Sequence, residues 1–143
     1  MGELRDELQA IAWRTADGEP VSREPPYGVA VVVTRPDGAV LLLHRTGRGE
    51  REWAWGPPAG ARLPGEAVEE CARRELREET GLALDPKPVG AGGDWCVFVA
   101  EAPAEAEVRL SDEHDAHAWL PLEEAVARCR PPLVAEQLRA AVA

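Results

Sequence analysis

Cysteine is scarce in this sequence, which has three cysteines among 143 residues. They stand at positions 71, 96 and 129, and no two of them form a Cys-x-x-Cys pair. A zinc ribbon and a thioredoxin-type redox motif are therefore excluded. An odd and sparse set of thiols suits a reducing cytosol better than a disulfide framework.

Long apolar runs are also missing. The longest cover residues 29–33 and 39–43, far short of the ~20 residues that a transmembrane helix requires. The first residues are acidic where a secretory signal needs basic ones, and no apolar signal region follows them. We therefore expect a soluble, cytoplasmic protein with no membrane partner.

Positive charge is in deficit. The chain has 16 basic and 26 acidic residues, which give a formal net charge of −10 at pH 7. The negative electrostatic field of such a chain repels nucleic acids, so we expect no nucleic-acid partner. A small phosphorylated ligand is still compatible, because a bound divalent metal reverses the sign of the field locally.

The length and the 45% content of hydrophobic residues suit one domain with a substantial core. Residues 1–26 end in a loop-rich stretch and predict an N-terminal arm, which would pack on the main domain or on a second subunit of a homodimer. Residues 27–143 would form the domain. Its first two apolar runs flank Pro-Asp-Gly at 36–38, which favours a tight turn and predicts a β-hairpin.

The rest of the domain alternates helices and strands. Helices are predicted over residues 66–80, after Pro121, and over 133–142, with strands near 95–100 and 117–120. Gly81 stands where the C-terminus of a helix favours glycine. Both strands of the hairpin are apolar at nearly every position, which predicts a sheet covered on both faces and an α/β sandwich.

The helix predicted over residues 66–80 carries acidic residues on its apolar side. A helical wheel places Glu75, Glu78 and Glu79 partly over the arc of Val68, Cys71, Ala72 and Leu76. Carboxylates about 6 Å apart repel by about 3 kcal/mol per pair at an effective dielectric constant of 20. A nearby cation would relieve that repulsion, and oxygen ligands suit Mg²⁺ or Mn²⁺ rather than zinc. The alternative interpretation is a solvated, salt-bridged helix face.

The residues around this helix match a known motif. Gly60, Glu66 and the run 74–82, Arg-Glu-Leu-Arg-Glu-Glu-Thr-Gly-Leu, occupy every fixed position of G-x5-E-x7-R-E-U-x-E-E-x-G-U, where U is aliphatic. That pattern is the Nudix box. The chain resembles the Nudix hydrolases, and the similarity extends from Tyr27 to residues 119–125.

The resemblance implies a fold, a reaction and a metal site. The fold would be an α/β/α sandwich with a mixed sheet. The reaction would be hydrolysis of a nucleoside diphosphate linked to another group, with Mg²⁺ or Mn²⁺ as cofactor. Glu75, Glu78 and Glu79 would be catalytic and would hold the metal together with the backbone carbonyl of Ala59.

Further roles follow from the same resemblance. Glu66 and Arg74 would form a structural ion pair. Glu113 would be a catalytic base or an additional metal ligand, with Asp112 and Asp115 as alternatives.

Four side chains are candidates for binding the substrate. Tyr27, Trp53 and Trp95 could stack on a base, and Arg45 could contact phosphate; core packing and solvated loop charge are the alternatives. The substrate class stays open between nucleoside triphosphates, nucleotide sugars or ADP-ribose, and dinucleoside polyphosphates. A Nudix-fold module that senses a nucleotide without cleaving it is the alternative function, and the intact box glutamates disfavour it.

Overall fold

The computed structural model describes residues 20–92, 94–130 and 132–142. The described elements are β1 (Gly28–Thr34), β2 (Val40–Arg45), β3 (Trp55–Gly56), β4 (Ala59–Ala61), α1 (Val68–Thr80), β5 (Lys87–Gly92), β6 (Trp95–Glu101), β7 (His114–Leu120), α2 (Leu122–Arg128) and α3 (Pro132–Val142). Residues 1–19, most of the predicted arm, lie outside the described residues, so the arm and the domain boundary stay predictions.

The predicted hairpin is confirmed. Strands β1 and β2 run antiparallel, and the turn between them places Gly38 at a φ of 86°, which glycine adopts without strain. The strand order is β3-β2-β1-β6-β5, with β4 also paired to β1 and β7 to β2. Because β1 and β6 are parallel and the other pairs are antiparallel, the sheet is mixed.

The sheet is covered on both faces, as the two apolar runs predicted. Alternate residues of β1 and β2 point to opposite sides, and each side has its own core. One core includes Val29, Val31, Val33, Leu41, Leu43, Cys71, Leu76 and Phe98, and it packs α1 against the sheet. The other includes Val32, Val40, Leu42, Ala125, Val134 and Leu138, and it packs α2 and α3. The α/β sandwich is therefore confirmed.

Helix α1 begins two residues later than predicted, at Val68. A turn precedes it, because Gly65 has a φ of 76° and the backbone N–H of Glu66 donates to the carbonyl of Leu63. The helix ends as predicted. Gly81 adopts a φ of 74°, and its N–H donates to the carbonyl of Arg77.

Three strands were not predicted. Strands β3 and β4 are too short to show a pattern, and β5 has the sequence KPVGAG, which is poor in strand-favouring residues. Its pairing with β6 holds β5 in place, with an irregularity in register near Pro88. Strand β7 begins at His114 rather than near residue 117. None of the helices in the described ranges has the length and apolar character needed to cross a bilayer.

Candidate active site

Two buried carboxylates of α1 face strand β4. The exposed fractions of Glu75 and Glu79, which are one helical turn apart, are 9% and 3%. A Cβ atom at Gly60 would overlap the carboxyl group of Glu75. The backbone N–H of Ala59 donates to Oε1 of Glu79 over 3.2 Å. Strand β4 thus brings its backbone directly onto both carboxyl groups.

Burial dominates the electrostatics of this pair. Loss of hydration, reinforced by the neighbouring carboxyl group of Glu75, raises the pKa of Glu79 to about 10. Burial also raises the pKa of Glu75, and the two side chains share a hydrogen bond. Without a cation the pair therefore retains a proton at pH 7.

The third carboxylate of the helix lies apart. The side chain of Glu78 is 57% exposed, and its Oε2 accepts a hydrogen bond from Nη1 of Arg74 over 3.3 Å. Accordingly, the described part of the chain holds no ready-made cluster of three His, Cys, Asp or Glu side chains for a metal ion. The buried pair nevertheless fits a divalent metal, since hard oxygen donors suit Mg²⁺ or Mn²⁺ and a cleft beside Glu79 has room for water or phosphate as further ligands.

Arg74 connects the loop before α1 to the buried pair. Its Nε donates to Oε2 of Glu66 over 2.7 Å and its Nη2 to Oε1 over 2.9 Å, a bidentate ion pair. Its Nη1 donates to Oε1 of Glu75 over 2.9 Å. Burial opposes ionisation of Glu66, but the hydrogen bonds from Arg74 and from the backbone of Leu63 outweigh it and lower the pKa of Glu66. The ion pair therefore orients the loop and one buried carboxylate together.

Glu113, at the end of the loop before β7, and His114, the first residue of β7, join the site. Glu113 is exposed, and its charge contributes to the raised pKa of Glu79. Nε2 of His114 lies 4.0 Å from Oε1 of Glu79. Burial and the positive charge of Arg45 lower the pKa of His114 to about 4, so this imidazole is neutral at pH 7.

The two alternatives to Glu113 are differently placed. Oδ1 of Asp115 lies 2.6 Å from Nδ1 of His44, whose Nε2 lies 2.7 Å from the carbonyl of Gly49. Both ring nitrogens face acceptors, which favours the protonated form, and the hydrogen bond to Gly49 is the largest cause of the raised pKa of His44. Asp112 is exposed, and its backbone carbonyl accepts a hydrogen bond from the hydroxyl of Thr46. Of the three acids, Glu113 is among the main causes of the raised pKa of Glu79.

An open cleft of about 180 Å³ lies beside Glu79. Its charged and polar lining includes Glu79, His114 and Arg45. Its apolar walls are formed by Leu43, Trp53, Trp55, Trp95, Leu133 and Val134, with the amide of Gln137 beside them. Charged and aromatic groups therefore line one cleft.

The structure brings three of the four predicted substrate-binding residues to this cleft, namely Arg45, Trp53 and Trp95; Tyr27 is not among the lining residues. Trp53 is 45% exposed and has a φ of 67°, a left-handed angle that is unusual for a large side chain. Its backbone N–H donates to the carbonyl of Arg130 over 2.7 Å, which helps to hold that conformation.

Sequence reasoning missed part of the lining. Trp55 is visible in the sequence as one of five tryptophans, but nothing in the local pattern separates it from core residues. Leu133 and Gln137 come from α3, whose packing over the cleft is a tertiary contact with no local signal.

Comparison with known proteins places these residues in a family. The model of the NUDIX domain matches residues 24–141. The chain is 34% identical over 149 aligned positions to an octanoyltransferase of Myxococcus xanthus, covering 90% of this chain and 40% of that protein. It is 35% identical to an 8-oxo-dGDP phosphatase of Homo sapiens, covering 66% of this chain and 32% of that protein. The chain therefore spans less than half the length of either relative.

A solved structure agrees with the sequence match. The MutT protein from Methanosarcina mazei Go1 superposes with a TM-score of 0.62 and 28% sequence identity, covering 82% of this chain and 94% of that one. The match to the NUDIX domain covers well over half of the chain and includes both buried glutamates. This chain therefore belongs to the Nudix family.

Proposed function

We propose that this protein is a Mg²⁺- or Mn²⁺-dependent pyrophosphohydrolase, which cleaves a nucleoside diphosphate linked to another group by attack of water at phosphorus. One observation carries the proposal: Glu79, which is buried beside Glu75, lines the same cleft as three tryptophans. A nucleotide has matching groups, namely negative phosphates and a flat base.

Glu75 and Glu79 would hold the metal, joined by Glu78 after a change of rotamer and by the carbonyl of Ala59. A bound divalent cation neutralises phosphate oxygens and lowers the pKa of a coordinated water. Glu113 would accept the proton of the attacking water as a general base.

Other residues would position the substrate. Arg45 would bind a phosphate oxygen, while Trp53 and Trp95 would stack on the base. The ion pair of Glu66 and Arg74 would keep the carboxylate of Glu75 directed toward the metal.

The proposal leaves three substrate classes open: nucleoside triphosphates, nucleotide sugars including ADP-ribose, and dinucleoside polyphosphates. The human relative is named as an 8-oxo-dGDP phosphatase, and this supports testing oxidised nucleotides as substrates too. A cytoplasmic location, a homodimer and the lack of nucleic-acid binding stay predictions from the sequence.

A panel of nucleotides tests the proposal. Phosphate or nucleotide release would be measured for each class with Mg²⁺, Mn²⁺, Zn²⁺ or EDTA present. We expect turnover of at least one class with Mg²⁺ or Mn²⁺, little with Zn²⁺, and none after chelation. Saturable nucleotide binding without turnover would instead favour the sensor module, and turnover that survives chelation would contradict the metal requirement.

A further inference from the structure

A second cavity, of about 370 Å³, lies beside the cleft and is rich in arginine. It is lined by Glu50, Arg51, Trp55, Ala127, Arg128 and Arg130. Trp55 also lines the cleft, so the two spaces share this residue. The arginine cavity is thus a neighbour of the cleft.

Backbone and side-chain contacts hold the arginine cavity together. Its walls come from the loop between β2 and β3 and from the C-terminal end of α2, and the hydrogen bond from Trp53 to the carbonyl of Arg130 joins the two segments. Arg51 donates from Nη2 to the carbonyl of Gly47 over 2.8 Å and from Nε to that of Arg48 over 3.2 Å. The guanidinium group of Arg51 is therefore fixed by its own loop and keeps further N–H donors.

Arg128 is held in a different way. Its guanidinium carbon lies 5.1 Å from the centre of the Trp55 ring. A guanidinium group that stacks on an indole keeps its N–H bonds in its own plane, where they can bind oxygen atoms in pairs. The stacking therefore orients Arg128 without using its donors.

The arginines of this cavity outnumber its one carboxylate, that of Glu50. Salt bridges elsewhere in the described ranges engage Arg35, Arg73, Arg74 and Arg139. In those same ranges Arg51, Arg128 and Arg130 form none, although Glu50 lines the same cavity. Three unpaired guanidinium groups around one cavity are unexpected in a chain whose net charge is −10. They match an anion with several oxygen atoms, because guanidinium groups recognise phosphate through pairs of N–H donors.

We propose that the arginine cavity binds a phosphate or polyphosphate group. The group has two possible sources: the far end of a ligand that also occupies the cleft, or a separate phosphate ion. The first source rests on the proposed function, whereas the second does not. In either case Trp55 and Arg128 form the boundary between the cleft and the anion.

Binding of inorganic tripolyphosphate to the metal-free protein tests the site directly. Calorimetry would be run in EDTA, so that no metal bridges the anion to the active-site glutamates, and at two salt concentrations. We expect saturable binding that weakens with salt and that falls about tenfold or more in Arg128→Gln/Arg130→Gln. The charge-matched double variant Arg23→Gln/Arg109→Gln, which changes two exposed arginines elsewhere, should bind within about twofold of the parent. If Arg128→Gln/Arg130→Gln fails to fold, the single variant Arg130→Gln replaces it in the test. The single variant should show an intermediate loss of affinity for tripolyphosphate.

Kinetics then separate the two sources. If the site holds the far end of the substrate, Arg128→Gln/Arg130→Gln raises KM for dinucleoside tetraphosphates and leaves KM for the shortest accepted substrate unchanged. If it holds a separate ion, inorganic phosphate binds without competing with that short substrate. Unchanged affinity for tripolyphosphate in the variant, or no saturable binding in the parent, would overturn the inference. Binding without hydrolysis of any nucleotide would leave the anion site standing and would refute the proposed function.

Discussion

The carboxyl group of Glu75 lies against the Cα atom of Gly60, in the space that the Cβ atom of any other residue would occupy. Gly60 is not among the described glycines with a positive φ, so the requirement for glycine here is one of space. This contact places the backbone of β4 beside the metal-binding carboxylates that we propose, and it explains physically why the motif begins with glycine.

A methyl group at position 60 should displace the Glu75 side chain. We expect Gly60→Ala to destabilise the fold by ~1–3 kcal/mol, as overpacking of a filled site does, and to lose most turnover and most of the rise in melting temperature that Mg²⁺ produces. Gly56→Ala is the matched control, because its Cβ would make an ordinary contact with Val134. If Gly60→Ala responds to Mg²⁺ like the parent, Glu75 does not hold the metal.

The raised pKa of Glu79 predicts how stability depends on pH in EDTA. Folding lifts this pKa from an ordinary value of 4.5 to about 10, so the folded state binds more protons than the unfolded state over that interval. The stabilisation is complete below pH 4.5 and declines as the pH rises toward 10. Denaturant unfolding at several pH values should show this decline in the parent and a weaker one in Glu79→Gln.

The same variant tests the metal. Because Gln resembles the protonated acid, Glu79→Gln should melt near or slightly above the parent in EDTA at pH 7. At ten times its dissociation constant, Mg²⁺ should stabilise the parent by about 1.4 kcal/mol, and the variant should lose most of that gain together with most of its turnover. Glu70→Gln, an exposed position of α1, is the control. Equal Mg²⁺ responses in parent and Glu79→Gln would indicate a metal site elsewhere.

Loss of the ion pair between Glu66 and Arg74 should affect stability differently from loss of the Glu79 carboxylate. Glu66→Gln leaves Arg74 without its bidentate partner, so we expect a loss of ~1–3 kcal/mol of stability in EDTA as well as in Mg²⁺. Turnover should fall less than in Glu79→Gln, since Glu66 orients the loop and does not touch the metal. Thermal unfolding of both variants with and without metal measures this contrast, and a shift under about 0.5 kcal/mol would class the pair as a solvated salt bridge.

Glu113 should act on the reaction and not on the fold. We expect Glu113→Gln to keep the parent melting temperature in EDTA, because the side chain is exposed, and to reduce kcat by roughly 10²–10⁴-fold, the usual contribution of general acid–base catalysis. Asp112→Asn is the matched control on the same loop. An unchanged kcat in Glu113→Gln would move the role of base to another carboxylate.

Much of the fold could be predicted from local patterns in the sequence. The hairpin, the end of α1 at Gly81 and the inward position of Glu75 and Glu79 all follow from periodicity and turn chemistry. Strand β5 did not, because its Gly- and Pro-containing sequence becomes a strand only through pairing with β6.

The site shows the same division between local and tertiary information. Glu78 turns outward to Arg74, its i, i+4 neighbour on the same helix, so that contact is local. The hydrogen bond between Asp115 and His44, in contrast, joins residues on different strands. The cleft wall from α3 and the arginine cavity arise where segments distant in sequence meet. No spacing within one segment reports such contacts.

Hydrolysis in water enriched in ¹⁸O tests the central claim most directly. A nucleotide that the protein accepts would be turned over to completion with Mg²⁺, and the phosphorus-containing products would be analysed by ³¹P NMR and mass spectrometry. We predict that one product carries a single ¹⁸O at phosphorus, that EDTA abolishes its formation, and that Glu79→Gln forms it far more slowly than Glu70→Gln. Product formation that persists in EDTA, or products without ¹⁸O at phosphorus, would contradict metal-dependent attack of water on a phosphoric anhydride.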